Sequence, residues 1–394
     1  MTAGSNDVQP TVSVARIEAL AEEVARDVLE GRSAEWDEQG RWPAEGVHAL
    51  QRNGLGALMV SRVHDGLGHG LLGLCRVCET LGRADASTGL CFGMHSVATQ
   101  CLEVKATADQ VERFVAPIAA GRHWTTLALS EPGTGSHFYL PETTMEATED
   151  GYVLRGAKAF VTSGGHADSY VVSTRAPDPE ALAGHFSLVA APAAALERQW
   201  GAPWAGWGMR ANASRSVDLD GVTIARANLL GEEGDQICYV FNIVAPVFLI
   251  AMAGTYVGVA TRAFDEATAH LQRRSYSHSG GSLSSIAVLQ HRVGEVWGRL
   301  QATRALCQLA ARQADGGHEQ ALPNLCAAKA SAARMVTDVV GECMTLVGGT
   351  GYRGDGVLPR LMRDGRAAHV MSPTTDLLYA WAGRALLGQP LLTD

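Results

Sequence analysis

The chain has 394 residues, of which 46% are hydrophobic and 19% charged, with a formal net charge of −9. That length exceeds one ordinary core and predicts two or three packed units of a folded globular protein. The acidic balance, with no concentrated Lys/Arg segment, argues against nucleic acid or an anionic membrane as a main partner.

The segment 1–10 is polar and lacks the basic and apolar stretches of a signal peptide. Residues 12–120 read as helical: Ile17, Leu20, Ala21, Val24 and Val28 fall on one face of a helix, Trp42-Pro43 opens another, and Gly54 stops it. The run Asp65-Gly-Leu-Gly-His-Gly70 is a loop with no strand before it, so its glycines are not read as a phosphate cradle. Cys75-Arg-Val-Cys78 has C-x-x-C spacing but sits in an apolar helical run without a second Cys or His pair; the two thiols read as small core residues, and no metal site is expected. All eight cysteines are scattered without a disulfide rhythm, which suits a reducing cytoplasm.

From Trp124 to about Leu230 the pattern turns to short strands. Segments 145–148 and 152–155 flank the hairpin signal Glu149-Asp150-Gly151, and 159–162, 170–174, 186–190 and 217–219 follow, predicting a small antiparallel barrel or sandwich. Helical periodicity returns over 236–273, 286–315, 319–347 and 373–388, a four-helix bundle with a Ser/Gly loop at 277–285. The 18 uncharged residues from Ile243 to Ala260 reach the lower length of a membrane span, but Pro246, Gly254 and Gly258 suit the centre of a bundle better. The expected architecture is thus α+β, mostly α: an N-terminal helical domain (1–122), a central antiparallel β-barrel (123–234) and a C-terminal four-helix bundle (235–394).

Five motifs occur in order on these elements. They are Leu127-Ala-Leu-Ser-Glu-Pro-Gly-Thr-Gly-Ser136, Phe160-Val-Thr162, Arg273-Arg-Ser-Tyr276, Thr345-Leu-Val-Gly-Gly-Thr-Gly-Tyr352 and Arg360-Leu-Met-Arg-Asp364. Together they resemble the acyl-CoA dehydrogenase family over nearly the whole chain. The resemblance implies one FAD per subunit between the β unit and the bundle. Leu127, Leu129, Ser130, Gly135 and Ser136 would present main-chain and hydroxyl donors to it, Phe160 an aromatic surface and Thr162 a further donor. Arg273 would supply charge to its pyrophosphate from a neighbouring subunit; Gly348 and Gly349 would approach its adenine half and Thr374 would continue that contact; Tyr276, Gln290, Thr345 and Asp376 are further expected cofactor contacts. A homodimer or homotetramer follows from that sharing.

The family's dehydrogenation needs a polarised thioester carbonyl and a carboxylate that takes the α-proton. Eight residues after Asp364, where that carboxylate is expected, the chain has Ser372. At the alternative position on the first bundle helix it has Phe248, followed by Leu249 where many members carry Arg. A serine hydroxyl is far too weak a base. The Ser372 backbone N–H can still polarise the carbonyl, and Pro373 biases residue 372 toward extended backbone. Phe248, Leu249 and Pro373 are the expected substrate-pocket residues. His369 and Asp376 are the nearest titratable groups in sequence, read respectively as a packed or surface histidine and as a helix cap or cofactor contact. His137, where an acid often follows the first motif, has no assigned role. Three functions stay open: an oxidoreductase on an acyl thioester carried by CoA or a carrier protein, with an electron-transfer flavoprotein or oxygen as acceptor; a flavin-dependent monooxygenase, which needs no such base; and a non-catalytic acyl-binding flavoprotein.

Overall fold

The computed structural model describes residues 12–175, 186–234, 238–278 and 280–392; the polar segment 1–10 and the expected bundle start at 236 lie outside the described residues. The N-terminal unit contains α1 (Val14–Val24), α2 (Ser33–Gln39), α3 (Ala44–Arg52), α4 (Leu71–Ala84), α5 (Ala86–Glu103) and the short α6 (Ala108–Gln110) and α7 (Ala116–Ala119). Ser13 caps α1 by accepting from the Arg16 N–H, and Ile17, Ala21 and Val24 turn inward as their spacing requires. Asp85 breaks the chain between α4 and α5 and caps α5, accepting from the Thr88 N–H at 2.7 Å. Most of α5 is buried, which makes it the helix against which the β unit is laid.

The β unit corrects the expected antiparallel barrel. Its strands are β1 (Thr125–Ala128), β2 (Thr144–Ala147), β3 (Gly151–Arg155), β4 (Ala157–Val161), β5 (Ser169–Arg175), β6 (Phe186–Pro192), β7 (Arg215–Asp218), β8 (Val222–Ala225) and β9 (Leu229–Leu230), with the short helix α8 (Ala193–Leu196) after β6. Among the described residues they form three sheets, ordered β1-β5-β6-β9, β2-β3-β8 and β4-β7, rather than one closed ring. The pair β1–β5 is parallel, Thr125 facing Ser169 and Ala128 facing Val172. The physical reason is the connection: the chain between these strands makes a long excursion through β2–β4 instead of a tight turn. The hairpin read at 149–151 is present, β2 pairing with β3 in antiparallel register.

The C-terminal unit holds α9 (Ala245–Arg273), α10 (Ala287–Asp315), α11 (Ala321–Val347), α12 (Val357–Val370) and α13 (Thr375–Leu386). Sequence periodicity gave four of these. The additional helix, α12, buries Leu358, Leu361, Asp364, Gly365 and Ala368; the Asp and Gly on its inner face disguise the apolar stripe. The apolar run 239–273 is long enough to cross a membrane, yet it is packed inside the fold. Its glycines show why. A Cβ on Gly254 would stand 2.4 Å from the Cys75 carbonyl oxygen, and one on Gly258 2.1 Å from that of Glu79. Across the contact, a Cβ on Gly82 would lie 2.3 Å from the Thr255 oxygen. The backbones of α4 and α9 therefore touch, and the run is small because another helix presses on it. Cys75 and Cys78 lie buried as free thiols on α4, where burial pushes Cys75 up to about 12 and Cys78 well above its ordinary value.

Candidate active site

A cavity of about 560 Å³ opens where the three units meet. From the β unit it is lined by Leu127, Leu129, Ser130, Gly135, Phe160 and Thr162; from the bundle by Phe248, Met371, Ser372 and Pro373. Nine of the sequence-derived candidates, Leu127, Leu129, Ser130, Gly135, Phe160, Thr162, Phe248, Ser372 and Pro373, thus share one surface. Ser136 adjoins it, its carbonyl accepting from the Ser372 hydroxyl at 2.8 Å.

Local backbone strain concentrates here. Of five non-glycine residues with positive φ among the described residues, four belong to or adjoin the lining: Phe160 (55°), Ser163 (56°), Met209 (46°) and Ala213 (52°). Such backbone costs on the order of 1–3 kcal/mol per residue and persists only where surroundings enforce it. The enforcing contacts come from all three units. The Ser163 N–H donates to the Asn212 carbonyl at 2.9 Å, Trp42 Nε1 donates to Ser163 Oγ at 3.1 Å, and the Met209 N–H donates to Asp364 Oδ1 at 2.6 Å. Asp364 is buried, and burial pushes its carboxyl up to about 7 against the opposing Met209 N–H.

The strained turn at Phe160 coincides with a register shift between Lys158 and Val161, which throws the phenyl ring out of the sheet. The ring is 65% exposed and meets Trp204 edge-on, centroids 6.0 Å apart, so much of its aromatic surface is open at the cavity. Gly135, with φ 56°, has nothing within 4 Å of where a Cβ would project. An open aromatic ring beside a bare, left-handed glycine and the Ser130 and Thr162 hydroxyls is a fit for a flat heteroaromatic ring with polar edges, as a flavin has.

One charged residue in the lining escaped the sequence reading. Glu131 is buried and its carboxylate pairs with the fully buried Lys158 ammonium while accepting the N–H of Glu142 and, at 3.1 Å, that of Thr143. Burial pushes the Glu131 carboxyl up, but the Lys158 charge and these hydrogen bonds outweigh it and hold the group below its ordinary value. Burial pushes Lys158 below its ordinary value, and the charge and hydrogen bond of Glu131 oppose that shift. Lys158 also donates to Ser173 Oγ at 3.0 Å. Glu131 is thereby committed to holding the 129–143 loop and is no free base. The available signal was a lone Lys within an apolar strand, two residues before Phe160.

Among the described residues, no other lining residue carries a carboxylate or imidazole. Ser372 Oγ is already a donor to Ser136, and the Ser372–Pro373 peptide is cis. His369 lies away from the lining, its Nε2 3.1 Å from Thr337 Oγ1 and its Nδ1 3.5 Å from Thr375 Oγ1; burial and Arg366 lower its pKa. His137 stands edge-on to Tyr139, centroids 5.7 Å apart.

Other expectations are placed elsewhere. Leu249 is wholly buried in the bundle and does not reach the cavity, because consecutive helix residues point about 100° apart and Phe248 takes the inward position. Arg273, Tyr276, Gln290, Thr345, Gly348, Gly349 and Asp376 are exposed and Thr374 half-buried, and none of them lines the cavity. Gln290 Nε2 donates to the Ser284 carbonyl at 2.9 Å, and Thr345 Oγ1 to that of Gly341 at 3.0 Å.

Residues 14–122, 126–222 and 249–387 match the N-terminal, middle and C-terminal domains of acyl-CoA dehydrogenase respectively. The short-chain-specific acyl-CoA dehydrogenase of Clostridium acetobutylicum is 25% identical over 370 residues, 92% of this chain and 94% of that protein. The cyclohex-1-ene-1-carbonyl-CoA dehydrogenase of Geobacter metallireducens is 27% identical over 371 residues, 93% of this chain and 96% of that one. The butyryl-CoA dehydrogenase structure from Megasphaera elsdenii superposes with a TM-score of 0.88 at 22% identity, covering 98% of this chain and all of that one, which shows a shared fold.

Proposed function

The chain belongs to the acyl-CoA dehydrogenase family, and from that premise we propose that it is an FAD-dependent oxidoreductase acting on the CH–CH bond of an acyl thioester presented by CoA or a carrier protein. The supporting observation is the junction cavity, which gathers the 127–135 and 160–162 segments opposite Phe248 and Ser372. FAD, when bound, supplies the two-electron acceptor.

The residues of this chain do the rest. Leu127, Leu129, Ser130 and Gly135 offer main-chain contacts to the cofactor edge, Phe160 its ring face and Thr162 a hydroxyl. Arg273, Tyr276 and Gln290, exposed at the end of α9 and the start of α10, serve the cofactor of a second copy, and Thr345, Gly348, Gly349, Thr374 and Asp376 approach its adenine half; the working form is a homo-oligomer in a reducing cytoplasm. On the opposite wall the Ser372 N–H donates to the thioester carbonyl and draws charge onto its oxygen, while Phe248, Val370 and Met371 keep water from the acyl chain. No free carboxylate of the lining receives the α-proton, which would leave to water admitted at the cavity mouth, so carbonyl polarisation carries more of the barrier than where a base is present. Anaerobic mixing with a series of acyl thioesters should bleach the flavin, electrons then passing to an electron-transfer flavoprotein or oxygen. If no thioester bleaches it, the reading is wrong.

One observation favours a second reading. Both base positions, Phe248 and Ser372, line the cavity without a carboxylate, and Glu131 is held by Lys158. A monooxygenase using reduced flavin and oxygen needs no such base. Oxygen uptake with an oxygenated product would establish it; uptake yielding only peroxide would count against it.

A further inference from the structure

One buried cation has no part in the chemistry described so far, and it lies beneath the Ser372 segment. Lys329, in the middle of α11, is fully buried in a run of otherwise small and apolar residues. Its Nζ donates to three carbonyl oxygens: Ala368 at 2.9 Å, Met371 at 2.9 Å and Pro373 at 2.8 Å. An ammonium has three N–H groups and no acceptor, so donors and acceptors match completely. Burial lowers the group to about 7, while the three carbonyls favour the charged form. Ala368 and Met371 end α12, where helical carbonyls lack partners of their own and the dipole attracts a cation. Pro373 lies beyond the helix, so its contact is more than a cap. The Met371 and Pro373 contacts bracket Ser372 on both sides. From across the cavity, Ser372 Oγ reaches the Ser136 carbonyl at 2.8 Å. The residue at the reacting carbonyl is therefore fixed by the bundle from below and by the cofactor loop from the front.

We propose that Lys329 is a positioning residue: its three-carbonyl clamp sets the Ser372 backbone N–H at the hydrogen-bonding position of the substrate carbonyl. This rests on the thioester reading above. A residue that merely satisfied a helix end would alter stability and leave the bound substrate unchanged; a positioning residue alters the substrate's own carbonyl.

The test uses FAD-loaded enzyme, the variants Lys329→Met and Lys329→Gln, and a panel of CoA thioesters from acetyl to octanoyl labelled with 13C at the carbonyl, read by infrared difference spectroscopy. Wild type should lower the carbonyl stretch of at least one bound thioester. Lys329→Met should lose that shift, and kcat should fall on the order of 100-fold with KM changed only a few-fold, since the donor is displaced rather than the binding surface. Lys329→Gln, with two N–H donors, should retain part of both. If Lys329→Met keeps the wild-type shift and kcat, the inference is overturned while the thioester reading stands. If wild type polarises no thioester, the functional reading falls and takes the inference with it. If neither variant folds or retains flavin, Lys329 has a structural role only and the proposal is wrong.

Discussion

Two walls of the cavity are each held by a buried lysine, and the two differ in what they face. On the β wall, Lys158 meets a carboxylate, that of Glu131, and the pair fixes the 129–143 loop. On the bundle wall, Lys329 meets the carbonyls of Ala368, Met371 and Pro373 and fixes the link between α12 and α13. The first arrangement neutralises its charge internally and consumes the one acid that lines the cavity. The second leaves a lysine with no counter-charge behind the Ser372 segment, where the proposed thioester carbonyl would sit. The same residue type thus neutralises a carboxylate in one place and gathers backbone carbonyls in the other, and only the partner distinguishes them.

Restoring a base to the bundle wall should produce the largest change. Ser372→Glu should raise the anaerobic rate of flavin bleaching by a thioester by roughly 10²- to 10⁴-fold, the usual contribution of a positioned general base. Stopped-flow absorbance decides it. An unchanged rate would mean that the wall lacks more than a base, and would move weight to the monooxygenase.

Breaking the β-wall pair comes next. Lys158→Met leaves the Glu131 charge buried and unpaired, and should cost about 3–5 kcal/mol in denaturant unfolding. Lys329→Met leaves neutral carbonyls and should cost clearly less. Equal losses would erase the contrast between the walls.

Acid should loosen the β wall first. His95, stacked on Trp124 at 3.9 Å, accepts the Thr125 N–H of β1 at Nδ1 and stands 2.8 Å from the Gly56 carbonyl at Nε2. Burial holds it down to about 4. The folded state therefore binds fewer protons than the unfolded one between about 4 and the ordinary histidine value of about 6.5. Stability from this group is complete above about 6.5 and declines as pH falls to about 4, by about 3 kcal/mol in total. Unfolding curves across that range should show the decline, and His95→Gln should flatten it.

The smallest effect concerns the open ring. Phe160→Ala removes the aromatic face and should weaken FAD binding by roughly 1 kcal/mol, several-fold in Kd by fluorescence titration. An unchanged Kd would show that the ring meets something other than the cofactor.

Much of this was legible in the chain. The order helical, β, helical followed from periodicity, and the motif at 127–136 and the 160–162 segment fall on the cavity where their chemistry is useful. What stayed hidden depends on partners distant in sequence. Glu131 and Lys158 are 27 residues apart and Lys329 and Pro373 44, and no local pattern announces either contact. The parallel β1–β5 pairing depends on a connection whose path periodicity does not reveal. Leu249 was read beside Phe248 from adjacency, whereas helical rotation separates the two. Helix α12 escaped because its buried face carries an acid, Asp364, which braces the strained Met209 turn.

If a flavin lies between these two walls, a crystal structure of the chain with FAD will show it. The isoalloxazine should cover the Phe160 ring, with Thr162 and the 127–135 backbone along its edge and Ser372 across the gap. Protein that binds no FAD, or density for the ring outside this junction, would contradict the account.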